Sequence, residues 1–233
     1  MTYLARAEDW FLNRLCRSCG TPLVLCPDHT GLICRECRVV LQRSYLSGRL
    51  CECCGSPLLG GLSPCRHCRE HPPAYTNHRS VFLYTSLPAT LVVDFKGRGF
   101  RRLAAYFAET MLTVLPPCDL LVPVPFRPAS VRQRPFDPVT LLVRELSRLS
   151  TVPSGFILNR RAGRSQKSLS REDRLTNLDG AIRLNRHRNT CLRGLSLCLI
   201  DDVFTTGATV HQCARVLLQD EPAAVYVRTI AMD

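Results

Sequence analysis

The segment from Asp201 to Thr209 has the residue types of a site for a phosphorylated sugar. An apolar run ends in the adjacent carboxylates Asp201 and Asp202, and a turn rich in hydroxyl groups and glycine follows them. Backbone N–H groups and the partial positive charge at the start of a helix bind anions, and threonine hydroxyls add donors. Carboxylates accept hydrogen bonds from vicinal hydroxyls or hold Mg²⁺ through oxygen. Acceptors for hydroxyls beside donors for phosphate indicate a ribose 5-phosphate.

Two secondary-structure elements have to position these groups. The apolar residues 195–203 predict a buried strand, and the spacing of apolar residues over 208–218 predicts a helix. The carboxylates then lie at the carboxyl end of the strand, and the turn lies at the start of the helix. The alternative is a purely structural strand-turn-helix in which Asp202 and Thr205 cap the helix.

This segment resembles the phosphoribosyl pyrophosphate motif of type I phosphoribosyltransferases, in which apolar residues precede an acidic pair and a T-T-G-x-T turn follows. The resemblance implies that Asp201 and Asp202 contact the ribose hydroxyls and take part in catalysis, while the turn surrounds the 5-phosphate. The implied phosphoribosyl-binding residues are Asp201, Asp202, Thr205, Thr206, Gly207, Ala208 and Thr209.

Other segments resemble the ComF family in order and spacing. They are Phe95-Lys96-x-Arg98-Gly99, the proline-rich run 121–128 with the arginines after it, and the polar stretch 164–177. The resemblance implies that residues 124–134 lie where pyrophosphate leaves and that residues 164–177 form a mobile hood over the site. The implied pyrophosphate and hood residues are Arg132, Arg134, Gln166 and Arg174. A solvated basic face is the alternative for these arginines.

One segment departs from the ComF pattern. Relatives typically have R-G-F-N-Q where this chain has Arg134-Pro135-Phe136-Asp137-Pro138. Pro135 removes a backbone donor and fixes φ at a place where an anion could have been held. The sequence therefore supports ribose phosphate binding more strongly than pyrophosphate binding and turnover.

The cysteines near the start of the chain have the spacing of zinc ligands. Ten of the fourteen lie between Cys16 and Cys68, in two tandem copies of C-x2-C-G-x-P-L followed by C-x2-C. Two such pairs complete a four-thiolate zinc site, and closed sites of this kind are structural. The repeat favours two sets, which are Cys16, Cys19, Cys34 and Cys37, and Cys51, Cys54, Cys65 and Cys68.

Other ligand assignments remain open at this stage. The first cysteine pair could combine with the third instead of the second. Cys26 and Cys53 have no counterpart in the repeat, although Cys53 could replace a neighbour. The histidines of this region are candidate ligands as well, but the surplus of thiolates favours a surface position for them; they are His29, His67 and His71.

The chain is predicted to contain two unequal units. Residues 70–75 include two prolines and resist regular structure, which places a boundary there. We expect a cysteine-rich double zinc-knuckle module over 1–72 and a phosphoribosyltransferase-like domain over 73–233. In the second unit, strands are predicted at 80–84, 119–124, 156–158, 195–203 and 224–231, and helices at 103–115, 139–149 and 208–218.

This alternation predicts an α/β fold, and the resemblance specifies a type I phosphoribosyltransferase-like parallel sheet flanked by helices. No apolar run approaches the roughly 20 residues of a membrane helix, and the first nine residues do not read as a signal peptide. Fourteen cysteines without a disulfide framework suit a reducing compartment. We therefore expect a cytoplasmic protein without membrane insertion.

Two functions are consistent with these features. The first is a pyrophosphate-releasing glycosyltransferase that binds phosphoribosyl pyrophosphate with Mg²⁺ and transfers the phosphoribosyl group to an unidentified acceptor. The second is a non-catalytic protein of DNA uptake, with single-stranded DNA or competence proteins as partners, which the ComF resemblance also implies. From Ser80 onward, 21 basic and 13 acidic residues leave an excess of eight positive charges that suits either anionic partner.

Overall fold

The computed structural model describes residues 15–23, 32–97, 101–126, 136–160, 181–185 and 191–233. The strands within these ranges are β1 (Asn77–Leu83), β2 (Leu120–Pro123), β3 (Leu158–Arg160), β4 (Ile182–Leu184), β5 (Ser196–Phe204) and β6 (Ala224–Met232). The helices are α1 (Arg35–Gln42), α2 (Arg66–Glu70), α3 (Ser86–Gly97), α4 (Leu103–Met111), α5 (Pro138–Ser150) and α6 (Ala208–Leu217).

A four-stranded parallel sheet in the order β1-β6-β5-β2 forms the centre of the fold. Its central strands are buried on both faces, so successive residues of β5 belong to opposite cores. Cys198 and Ile200 pack with α3, α4 and α5 on one face, whereas Leu197 and Leu199 pack with α6 on the other. This two-residue alternation is the reason that an almost continuous apolar run forms a strand. The predicted parallel sheet flanked by helices is confirmed.

Strands β3 and β4 form a separate antiparallel pair in which Asn159 lies opposite Arg183. Strand β4 packs against α6. The stretch 161–180 connects these two strands and contains the whole predicted hood, so the hood lies outside the described residues. Strand β4, which follows that stretch in the sequence, lies beside the helix after the phosphate turn.

The cysteine-rich segment packs against the β1 edge of the sheet. Leu46 donates a backbone hydrogen bond to Val81 at 2.9 Å, and Leu83 donates one to Ser44 at 2.9 Å. Ile33 and Leu41 are buried in the same core as Phe82 of β1, whose ring lies 4.8 Å from that of Tyr45. The division of the chain at residue 72 remains a prediction.

Two elements of the second unit escaped prediction. Helix α3 carries Pro88 in its first turn, where proline is tolerated, and a run of three apolar residues conceals its periodicity. Strand β4 is only three residues long and lies directly after the polar stretch. The predicted helix at 103–115 ends at Met111, and a single 3-10 turn continues to Val114. Within the described part of the chain, none of the helices is long and apolar enough to span a membrane.

Candidate functional site

The acidic pair lies at the carboxyl end of β5, in the middle of the sheet. Asp201 is opposite Thr229 of β6, and the backbone N–H of Val124 donates to Ile200 at 2.9 Å on the other side. The chain therefore leaves β2 immediately beside the carboxylates. Parallel α/β sheets bind ligands in the crevice beyond this edge.

The turn after β5 exposes hydroxyl and backbone groups at the start of α6. Gly207 is the N-cap residue, with φ of 71° in the left-handed region, and it has no side chain with which to cap the helix. The Thr206 hydroxyl accepts a long hydrogen bond from Ala208 N–H, at 3.4 Å. Thr205 and Thr206 are exposed. Asp202 accepts a hydrogen bond from Val203 N–H at 2.7 Å, so its carboxylate does not serve as the helix cap of the structural alternative. The first N–H groups of α6 thus face a polar, open turn, which is the arrangement that binds anions.

Lys96 of α3 joins the acidic pair. Its Nζ lies 2.7 Å from Asp202 Oδ1, and the two side chains are 26% and 15% exposed. The sequence did not identify Lys96 as a site residue, because 106 positions separate it from Asp202 and only the fold brings them together. Its presence in the ComF-like Phe95-Lys96-x-Arg98-Gly99 segment was the one available signal.

The carboxyl group of Asp201 has a shifted pKa. Burial and the negative charge of Asp202 together raise the pKa of Asp201 to about 8, against the opposing effects of the Asp202 N–H group and Lys96. The Asp201 side chain is half-buried, and its carboxyl oxygen accepts the hydrogen bond from Asp202 N–H at 2.9 Å. In the free site at neutral pH, Asp201 therefore holds a proton while Lys96 compensates the charge of Asp202.

The segment that departs from the ComF pattern has a structural role in this chain. Asp137 is the N-cap of α5, and its carboxylate accepts hydrogen bonds from Val139 N–H at 3.0 Å and from the Thr140 hydroxyl at 2.5 Å. Pro138 occupies the first turn, where its fixed φ suits a helix. The predicted pyrophosphate and hood residues lie outside the described residues; they are Arg132, Arg134, Gln166 and Arg174.

The cysteine sulfurs come together in two groups, each with all its Sγ atoms within 4.8 Å of one another. The groups are Cys16, Cys19, Cys34 and Cys37, and Cys51, Cys54, Cys65 and Cys68. They are called cluster 1 and cluster 2 below. Neither contains Cys53, His67 or His71, and Cys26 and His29 lie outside the described residues.

The sulfur positions fit a tetrahedral ion. Cys19 and Cys34 Sγ are 3.7 Å apart in cluster 1, and Cys54 and Cys65 Sγ are 3.8 Å apart in cluster 2. A tetrahedron with Zn–S bonds of about 2.3 Å has edges of about 3.8 Å. Backbone N–H groups also point at sulfur, since Cys34 N lies 3.3 Å from Cys16 Sγ, with an equivalent contact in cluster 2. Both clusters can therefore hold a zinc ion.

Comparison with known proteins identifies relatives along nearly the whole chain, although no protein-family model matches it. The DNA utilization protein YhgH of Salmonella typhi is 34% identical over 225 residues, which cover 91% of this chain and 94% of YhgH. YhgH of Escherichia coli K12 is 30% identical over 237 residues, with the same coverage. The competence protein ComFC of Bacillus subtilis is 32% identical over 152 residues, or 63% of this chain and 60% of ComFC.

Among solved structures, a glutamine phosphoribosylpyrophosphate amidotransferase from B. subtilis has a TM-score of 0.40 and 13% identity, over 59% of this chain and 30% of the enzyme. A hypoxanthine-guanine phosphoribosyltransferase from Bacillus anthracis has a TM-score of 0.36 and 12% identity, over 59% and 70% of the two chains. The assignment of this chain to a family rests on the sequence relatives and on their near-complete coverage, and not on these structures. By sequence identity and coverage the chain belongs to the ComF family, which includes YhgH and ComFC.

Proposed function

We propose that this protein binds phosphoribosyl pyrophosphate with Mg²⁺ at Asp201–Thr209 and transfers its phosphoribosyl group to a nitrogen acceptor, with release of pyrophosphate. The observation that carries the proposal is the acidic pair at the carboxyl end of β5, directly before the uncapped start of α6. Asp201 and Asp202 would bind the ribose hydroxyls, and the turn from Thr205 to Thr209 would bind the 5-phosphate. Acceptors for the ribose hydroxyls and donors for the phosphate then lie on one short segment, as a ribose 5-phosphate requires.

The residues of the site suit Mg²⁺, because carboxylate oxygens are its preferred protein ligands. When bound, the ion neutralises charge on the departing pyrophosphate. The side chains and backbone groups of the protein would position the sugar. Lys96 compensates Asp202 in the free site, and its ammonium is released for the anionic ligand once another cation reaches that carboxylate. The transfer breaks the bond from the anomeric carbon to pyrophosphate, which leaves with the bonding electron pair. A new bond forms from that carbon to the acceptor nitrogen, whose proton passes to solvent.

Pyrophosphate would be held by segments that start at the described edge of the site. Strand β2, which precedes Arg132 and Arg134 in the sequence, ends beside Asp201. Gln166 and Arg174 belong to the stretch between β3 and β4, whose strand β4 packs on α6. Guanidinium groups bind pyrophosphate oxygens in pairs, and a hood over the site would exclude water from the reacting sugar. The described ends of β2 and β4 support the roles that the ComF resemblance implied for the segments next to them.

The principal test is calorimetric titration of phosphoribosyl pyrophosphate and Mg²⁺ into wild type, Asp201→Asn and Asp202→Asn. Each substitution keeps the size of the side chain but deletes a charge-assisted hydrogen bond, worth roughly 1.5–3 kcal/mol. We expect an affinity loss of about ten- to hundredfold for each variant. Thr206→Ala removes one neutral donor while the backbone N–H groups remain, so its loss should be smaller.

Unchanged affinity in both aspartate variants would mean that the segment is only a strand-to-helix turn. Turnover is examined separately, by pyrophosphate release with a panel of nitrogenous bases. Binding without release for any base would support ligand sensing instead of transfer.

The affinity should depend on pH through Asp201. Its pKa, raised to about 8, means that the free carboxyl is mostly protonated at pH 7, whereas Mg²⁺ and hydroxyl donors bind the ionised form. Affinity for the Mg²⁺ complex is therefore expected to rise about tenfold between pH 7 and pH 9. Phosphate monoesters complete their ionisation near pH 6, below this range. Asp201→Asn should flatten the profile; a flat profile in wild type would contradict the role of Asp201.

Each cysteine cluster is proposed to hold one structural zinc ion. The edge lengths of both clusters support this, and so does the cytoplasmic location we propose, since a reducing compartment keeps cysteines as metal-binding thiolates. Elemental analysis of the purified protein should find two zinc ions per chain. A value of one would overturn the two-site assignment, and the cluster that retains its metal would follow from the metal content of Cys19→Ser and Cys68→Ser.

Binding of single-stranded DNA is the second candidate function, with competence proteins as further partners. It is favoured by the names of the relatives, a DNA utilization protein and a competence protein, and by the positive charge from Ser80 onward. Such binding should weaken steeply as salt rises, because it is driven by counterion release. Replacing Arg160, Arg161 and Arg164 together should flatten that dependence. No binding of an oligonucleotide at low salt would exclude this function.

A further inference from the structure

His78 lies between cluster 2 and the phosphate turn and is completely buried. Its backbone N–H donates to the Cys53 carbonyl at 2.7 Å, and its ring Nδ1 lies 2.7 Å from the Cys54 carbonyl oxygen. Because a carbonyl only accepts, Nδ1 carries the ring proton. Nε2 is then the acceptor, 2.9 Å from the Thr229 hydroxyl. These bonds hold the imidazole in one orientation.

The face of the imidazole ring packs against Phe204. The two ring centroids are 3.9 Å apart and the planes differ by 18°, so the rings are stacked. Phe204 is the last residue of β5 and directly precedes Thr205, the first residue of the phosphate turn. A movement of the imidazole ring therefore displaces the residue from which the turn starts.

Phe204 in turn sets the conformation of the turn. A Cβ atom at Gly207 would lie 2.7 Å from Phe204 Cζ and 3.0 Å from Cε2. The aromatic ring thus fills the space under the turn, and the left-handed Gly207 follows its surface. The ring and the backbone of the turn cannot move independently.

On the side away from Phe204, His78 packs closely against the knuckle of cluster 2. A Cβ atom at Gly55, the residue after the ligand Cys54, would lie 2.7 Å from the His78 carbonyl oxygen. Among the described residues, the buried core around cluster 2 consists of its own cysteines, with Cys53 and Leu58 as partly buried neighbours. Apolar burial therefore contributes little to holding this knuckle, and a bound metal ion would supply most of its stability.

We propose that His78 is a positioning residue through which the metal in cluster 2 fixes the phosphate turn. The contacts run from the knuckle at Cys53–Gly55 to the His78 ring, from there to Phe204, and from Phe204 to Gly207. The identity of the ligand bound by the turn rests on the proposed function. The contacts between cluster 2 and the turn do not depend on that ligand. Cluster 2 is thereby part of the phosphoribosyl site, whereas the segment that follows cluster 1 contacts the sheet farther along β1, where Tyr45 pairs with Phe82.

Amide hydrogen exchange of residues 211–213 tests this link in the ligand-free, zinc-loaded protein, because their N–H groups donate to the carbonyls of 207–209; His211 N–H lies 2.9 Å from the Gly207 oxygen. Phe204→Leu removes the stacked ring without touching a cluster, and His78→Asn keeps a donor for Cys54 but loses the stack. Each should accelerate exchange at 211–213 about tenfold, the upper end for the loss of one aromatic pair. Zinc content should stay at the wild-type value in Phe204→Leu. Phe82→Leu, the same truncation of a buried phenylalanine but on β1, is the matched control and should leave exchange at 211–213 unchanged.

The metal is tested with one ligand from each cluster. Cys68→Ser opens cluster 2 without altering a residue that contacts His78, and we expect it to accelerate exchange at 211–213. Cys19→Ser opens cluster 1 and should not. The proposal is overturned if Cys68→Ser or Phe204→Leu leaves exchange at 211–213 at the wild-type rate, or if Cys19→Ser accelerates it equally. Because this measurement contains no ligand, failure of wild type to bind phosphoribosyl pyrophosphate would refute the proposed function alone.

Discussion

Removal of zinc with a strong chelator is expected to unfold the second half of the cysteine-rich segment first. The apparent binding free energy of a structural zinc ion, about 10–16 kcal/mol in zinc-finger peptides, matches or exceeds the whole stability of a typical domain. Cluster 2 has almost no apolar core with which to replace it. Trypsin should therefore cleave the zinc-free protein rapidly after Arg66 and Arg69, which lie on α2.

The first half of the segment should resist longer, because Ile33 and Leu41 share the large core behind the sheet. The sheet itself should remain folded, as followed by slow amide exchange in β5 and β6. Adding zinc back provides the control and should restore resistance to trypsin. Equal cleavage rates in the zinc-loaded and zinc-free proteins would show that cluster 2 is not held by metal.

Gly207→Ala is expected to disable the phosphate turn. Gly207 has φ of 71°. An alanine held in this left-handed conformation costs about 1–2 kcal/mol, and the new methyl group would overlap the Phe204 ring, an overpacking that costs about 1–3 kcal/mol. We expect the free energy of unfolding to fall by about 3 kcal/mol in total. Affinity for ribose 5-phosphate should fall at least about tenfold, because the turn and the ring can no longer keep both positions.

Gly194→Ala is the matched control for this substitution. Gly194 has φ of 76°, but in the described part of the chain no atom beyond its two chain neighbours lies within 4 Å of an added Cβ. The free energy of unfolding of this variant should therefore fall only by the cost of the left-handed conformation, about 1–2 kcal/mol. Its affinity for ribose 5-phosphate should equal that of wild type. Urea unfolding gives the stabilities and calorimetry the affinities. Equal stability losses in both variants would show that Phe204 does not restrict the turn.

The location of the candidate site could be predicted from sequence because its determinants are local. The acidic pair, the turn and the first residues of α6 are consecutive, and each has a residue type with a defined role at the end of a strand or the start of a helix. The two cysteine groups were favoured by the sequence for the same reason, since each knuckle is a short repeat. Contacts within one repeat need no knowledge of the fold.

The parts that could not be predicted all depend on long-range contacts. Lys96 reaches Asp202 only because α3 packs against the sheet, and α3 itself was concealed by Pro88 and by its unbroken apolar run. His78 stacks on Phe204 across 126 positions, and an isolated histidine in a strand has no sequence pattern that predicts its partner. Likewise, Asp137 departs from the family pattern, and its role as the N-cap of α5 is visible only in the structure.

The central claim is that the segment from Asp201 to Thr209 binds a ribose 5-phosphate group. Backbone-amide NMR during titration with ribose 5-phosphate and Mg²⁺ tests it most directly, because it reports where the ligand binds as well as whether it does. We predict the largest chemical-shift changes at residues 201–209 and their loss in Asp202→Asn. Changes confined to other residues, or no change at millimolar ligand, would contradict the claim.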